Sequence, residues 1–131
     1  MKNKLFRYCM LVGAASLIGM TVFYLVTYLG LSIAVGNSGL KPFYQQMIRA
    51  LWLSFGLQSV LLGVLYLVVA YRPRAVSREV VVICGLVPLA EAVLVMSFTG
   101  SYIAMLLLSI AAIFVLFGST LWPKAAAASG P

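Results

Sequence analysis

The sequence predicts an all-α integral membrane protein, folded as a four-helix up-down-up-down bundle with its N- and C-termini in the cytoplasm. Three observations predict this class. The 131-residue chain is 64% hydrophobic and 8% charged, whereas a soluble domain has about 25% charged residues. Its mean hydropathy is +1.13. Four separate apolar segments each reach the length of about 20 residues that a helix needs to cross a bilayer.

These four segments predict one transmembrane domain over residues 1–124, followed by a flexible tail over residues 125–131. The predicted spans are approximately residues 8–36, 44–71, 80–98 and 101–122. The first apolar run is longer than the core of a signal peptide, which has about 7–15 residues, so we interpret it as an uncleaved helix.

Turn and capping residues separate the spans. The sequence Gly36-Asn37-Ser38-Gly39 is typical of a turn, and Pro42 suits the first turn of the second helix. Ser77 suits the N-cap of the third helix. Thr99-Gly100 is a very short turn. We therefore expect the third and fourth helices, and also the second and third, to be antiparallel neighbours.

The basic residues predict the orientation. Seven of the nine lie on one side, namely Lys2, Lys4, Arg7, Arg72, Arg74, Arg78 and Lys124, and the other side has Lys41 and Arg49. The positive-inside rule then places both termini in the cytoplasm, and we expect a bacterial inner membrane. We attribute the net charge of +7 to topology and not to nucleic acid binding. The expected partners are membrane lipids, attracted to the basic loop by bulk electrostatics, with a membrane-protein partner or a homo-oligomer as further alternatives.

The composition argues against catalysis. The chain has no histidine, which is the commonest metal ligand and a frequent general base near neutral pH. Cys9 and Cys84 form no CxxC motif, and every lysine is terminal or in a loop. We predict that the protein is not an enzyme and has no catalytic residues, no cofactor and no metal site.

Arg49 and Glu91 are the sharpest candidates for a functional site. Glu91 lies in the middle of the third span, where a carboxylate is costly unless it finds a partner, faces other helices or stays protonated. By helix rise, Arg49 and Glu91 lie about 7 and 10 Å below the outer boundary, so neighbouring helices would bring them together. Pro88, one turn before Glu91, frees a backbone carbonyl nearby.

Three interpretations of these two residues stay open. They form a structural ion pair, they line an outward-facing polar pocket, or they never meet and Arg49 extends to the interface. Gln45, one turn before Arg49, belongs to the candidate pocket. Gln58 and Tyr28 are secondary polar positions, for which an interhelical hydrogen bond and core packing are the structural alternatives.

Small residues recur at helical spacing in every span. They are Gly13, Ser16, Gly19, Gly56, Ser59, Gly63, Gly85, Ala92, Ser101, Ser109 and Gly118. Because small residues let membrane helices approach closely, we expect these positions to mark packing within the bundle in preference to a dimer face.

Four features are shared with a known group of proteins: a basic N-terminus, the sequence Arg49-Ala50-Leu51-Trp52 at the second helix, the loop Arg72-Pro73-Arg74 and a short last turn. In these features residues 1–124 resemble small bacterial four-helix membrane proteins of the DoxX-like kind. The resemblance implies the architecture and no particular activity. The chain differs from the small multidrug transporters, whose essential carboxylate lies in the first helix, because Glu91 lies in the third.

The function expected from the sequence is a non-enzymatic structural or accessory role, or that of a partner-binding membrane subunit. The alternative is a small transporter or a ligand- or lipid-binding bundle that uses an outward-facing polar pocket around Glu91 and Arg49.

Overall fold

The computed structural model describes residues 2–123, which contain four α-helices. They are α1 (Lys2–Gly36), α2 (Pro42–Tyr71), α3 (Arg78–Thr99) and α4 (Tyr102–Thr120), with a short 3-10 helix at Pro73–Ala75. All four are long and apolar enough to span a membrane. The prediction of an all-helical chain with four helices of membrane-spanning length and apolarity is therefore confirmed. The predicted tail lies outside the described residues.

The helix ends follow the capping residues. Ser77 Oγ accepts a hydrogen bond from Val80 N at 3.4 Å, which confirms the predicted N-cap of α3. Pro42 lies in the first turn of α2. Gly100 has φ 63°, a left-handed conformation that glycine adopts without strain, and it ends α3. At the N-terminus, α1 begins at Lys2 instead of Tyr8, because the lysines, arginine and leucine there are good helix formers.

Helix α1 lies at the centre of the packing. It packs against α2 and α4, and α3 packs against α4, but α2 and α3 are scarcely in contact. The expectation that the second and third helices are close neighbours is therefore wrong. Residues 72–77 include the 3-10 helix, so this connection is longer than the turn at Gly100-Ser101 and does not force its two helices together.

Several glycines lie at contacts between helices. A methyl group on Gly118 would lie 2.7 Å from Met10 Cε and 2.9 Å from Cys9 Cβ, and one on Gly85 would lie 3.2 Å from Val115 Cγ1. These contacts join α1 to α4 and α3 to α4. At these glycines the prediction that small residues mark packing inside the bundle is confirmed.

Candidate functional site

Tyr66 bridges the gap between α2 and α3. Its hydroxyl donates a hydrogen bond to the backbone oxygen of Cys84 at 2.8 Å. In a regular helix this oxygen would accept from the residue four positions later, which is Pro88 and has no N–H. The carbonyl that the proline leaves free thus accepts a hydrogen bond from a side chain of α2, as membrane interiors require.

Beyond this bridge the gap widens into a cavity of about 340 Å³. All four helices contribute to its lining, which is almost wholly apolar. The cavity extends to Thr99 and Ser101 at the turn between α3 and α4. Phe98, at its margin, is 84% exposed.

Glu91 is the acidic residue that lines this cavity. The residue is 7% exposed, and its Oε1 is buried without a hydrogen-bond partner among residues 2–123. Unpaired carboxylates are strongly disfavoured in apolar surroundings. The group is therefore chemically suited to a proton or to the cationic or hydrogen-bond-donating group of a ligand.

Aromatic side chains form the wall that accompanies Glu91 in this lining. Tyr24 is at the centre of this aromatic wall. Its ring centroid lies 5.1 Å from that of Trp52, with an interplanar angle of 85°, and 6.3 Å from that of Phe55, with an interplanar angle of 18°. Trp52 Nε1 donates to the backbone oxygen of Tyr24 at 3.0 Å, so the indole is held in place. Phe23 meets the edge of Tyr24 at 6.3 Å. The faces of such rings attract cations.

The structure does not bring Arg49 to Glu91. Arg49 Nη2 donates to the backbone oxygen of Ser32 at 3.1 Å, and no ion pair joins Arg49 and Glu91 within the described chain. The predicted pair is therefore not formed. Because α2 packs on α1 and not on α3, Arg49 meets the last turn of α1, where a positive charge is favourable beside the helix dipole.

The other predicted polar positions also lie away from Glu91. Gln45 Nε2 donates to the backbone oxygen of Leu40 at 2.9 Å, so it ties α2 to the preceding loop. Gln58 and Tyr28 are half-buried, and neither lines the cavity. Of the predicted site residues, only Glu91 is in the cavity.

Sequence reasoning missed the aromatic wall. Trp52 and Phe55 are three residues apart on α2, and Phe23 and Tyr24 are adjacent on α1. The concentration of large rings at corresponding depths was a usable signal. It could not be assigned to a site without knowing that α1 packs between α2 and α4.

The part of the chain that the structure describes contains no group of three or more His, Cys, Asp or Glu side chains that could hold a metal ion. The cavity is lined by one buried carboxyl, several aromatic side chains, the hydroxyl-bearing residues Thr99 and Ser101, and apolar surface. This arrangement can bind a ligand.

Comparisons of this chain with protein-family models, with curated proteins and with solved structures give no match.

Proposed function

We propose that this protein is a ligand-binding four-helix bundle of the bacterial inner membrane, whose cavity between α2 and α3 binds an amphipathic organic cation. The ligand's charged group lies against Glu91, and its apolar body lies against the aromatic wall. The proposal involves no catalysis. One observation supports it above all others: Glu91 Oε1 is buried in an apolar cavity without a partner among the described residues.

The proposed topology is up-down-up-down with both termini in the cytoplasm. It is supported by the excess of basic residues at the start of α1 and around the 3-10 helix. A second cavity is lined by the beginning of α1, the end of α2, the beginning of α3 and the end of α4, as expected if these four ends lie on one side. A fluorescent protein fused to the C-terminus should therefore fluoresce in cells. A fluorescent fusion that stays dark, together with a periplasmic reporter enzyme that is active when fused at the same position, would contradict this topology.

The chemistry of the lining favours a cation over the alternatives. An anion would be repelled by an ionised Glu91, and a strongly polar neutral molecule would lose its hydration to a wall that offers it few hydrogen bonds. A quaternary ammonium group loses little hydrogen bonding, because it has no N–H, and it is attracted both to a carboxylate and to aromatic faces. Its apolar substituents fit the remaining surface.

The test measures binding of benzyltrimethylammonium by isothermal titration to the protein in detergent micelles. The neutral molecule neopentylbenzene has nearly the same shape and is the matched ligand. Glu91→Gln should weaken binding of the cation about tenfold or more, a change of about 1.4 kcal/mol per factor of ten, and should leave binding of the neutral molecule little changed.

Glu79 supplies the matched control. It is the only other acidic residue of the chain, and it lies exposed in the first turn of α3. Glu79→Gln changes the net charge equally and should leave cation affinity unchanged. Equal affinity of the wild type for the cation and the neutral molecule would contradict the proposal. A Glu91→Gln protein that unfolds more easily while binding the cation normally would instead favour the structural or accessory role.

A further inference from the structure

The second cavity, at the opposite end of α3 from the Thr99-Gly100 turn, has a different character. Its volume is about 910 Å³. Three arginines line it, namely Arg7 on α1, Arg74 on the 3-10 helix and Arg78 at the start of α3. No acidic side chain of residues 2–123 lines it. It shares no lining residue with the Glu91 cavity.

We propose that this cavity is a specific binding site for the phosphate of an anionic phospholipid. Guanidinium groups bind phosphate oxygens through paired, charge-assisted hydrogen bonds. Basic pockets between membrane helices on the cytoplasmic side suit anionic headgroups. Three arginines from three separate elements converge on one space, which distinguishes a site from a generally positive surface.

One of the three guanidinium groups is held in position by its neighbour. Arg7 Cζ lies 4.2 Å from the centre of the Tyr71 ring. Stacking on the ring face leaves the N–H groups at the guanidinium edge available for an anion. The floor is apolar, since Phe6 and Trp122 line the cavity and pack edge to face with ring centres 5.4 Å apart. Such a floor suits the glycerol and the first methylenes of a lipid.

A lipid is favoured over free phosphate by what adjoins the cavity. Arg78 also lines a shallow groove with Val82 and Ile83 on α3, and Ile83 is 64% exposed. Glu79 lies on this groove but not in the arginine cavity. The groove leads from the arginines to the apolar surface of α3. The acyl chain of a lipid can lie along this groove while its headgroup stays in the cavity. Free phosphate has no acyl chain and makes no contact with the groove.

The test is native mass spectrometry of the detergent-solubilised protein titrated with phosphatidylglycerol or phosphatidylcholine. Wild type should bind the first phosphatidylglycerol about tenfold more tightly than phosphatidylcholine. The triple variant Arg7→Gln, Arg74→Gln, Arg78→Gln should bind the two lipids equally. Glycerol phosphate at the same concentrations should not compete.

The chain provides a matched control for bulk charge. The triple variant Lys2→Gln, Lys4→Gln, Arg72→Gln also removes three positive charges, but from neighbouring positions that do not line the cavity. It should keep the preference for phosphatidylglycerol. Equal loss in both triple variants would overturn the proposal in favour of general attraction, and competition by glycerol phosphate would overturn the assignment to a lipid.

Because Arg7 packs on Tyr71, the first triple variant could lose its fold, which circular dichroism would reveal. The double variant Arg74→Gln, Arg78→Gln then replaces it, with Lys2→Gln, Lys4→Gln as its control. The site is supported if only the double variant Arg74→Gln, Arg78→Gln loses the preference for phosphatidylglycerol. A double arginine variant that keeps this preference overturns the proposal.

Discussion

The contact between α1 and α4 and the gap between α2 and α3 differ in how their helices are held. At the first, Gly118 faces Met10 and Cys9 with no room for a methyl group. At the second, a single tyrosine reaches from α2 to the backbone of α3. Both lie within one small bundle, so the difference comes from side chains and not from the lipid surroundings.

This difference shows how a small four-helix bundle can contain a cavity. Close contacts through glycine fix α1, α3 and α4 relative to one another. The long Tyr66 side chain fixes α3 at a distance from α2. Glu91 lies one helical turn beyond Pro88, on the far side of that tyrosine bridge, where the space is not filled. The gap between α2 and α3 therefore follows from the packing of the bundle, and the buried carboxyl of Glu91 lies in it.

The largest effect is expected at the tight contact. Gly118→Ala should lower the free energy of unfolding by about 1–3 kcal/mol, the usual cost of overpacking, because its methyl group would meet Cys9 Cβ. Gly30→Ala is the control, since nothing lies within 4 Å of a methyl group there. It should be neutral or slightly stabilising. The unfolding free energy of both variants is measured in mixed micelles. Equal effects of the two substitutions would show that the contact at Gly118 is loose.

A smaller effect is expected at the tyrosine bridge. Tyr66→Phe should lower the unfolding free energy by about 1 kcal/mol, because the carbonyl of Cys84 loses its donor. Pro88→Ala restores a backbone N–H that can donate to the same oxygen. In the Pro88→Ala background Tyr66→Phe should therefore cost clearly less. An undiminished cost in that background would contradict the role given to the proline.

The smallest effect concerns Arg49 and Glu91. In a double-mutant cycle of Arg49→Ala and Glu91→Ala, the coupling energy should stay below about 0.5 kcal/mol, as for residues without contact. Arg49→Ala alone should still be destabilising, because the guanidinium bonds the end of α1. A coupling above about 1 kcal/mol would show that the two charges interact after all.

The sequence predicted four helices that are long and apolar enough to span a membrane, and the cap at Ser77, because these depend on local composition. Glu91, which the sequence singles out, lines the cavity. Helix adjacency depends on which small faces meet and on how far a loop reaches. The six-residue connection around Pro73–Ala75 leaves that open. The depths of about 7 and 10 Å that helix rise predicts for Arg49 and Glu91 do not bring the two residues together, because α2 packs on α1 and not on α3. For the same reason the aromatic wall around Tyr24 could not be assembled from the sequence.

The most direct test of the central claim is the unfolding free energy of Glu91→Leu, measured without and with benzyltrimethylammonium. A carboxyl that is unpaired in the empty cavity costs stability, so the variant without ligand should be about 1–3 kcal/mol more stable than the wild type. The cation should stabilise the wild type and leave the variant unchanged. A variant that is less stable without ligand, and that the cation still stabilises, would contradict the account.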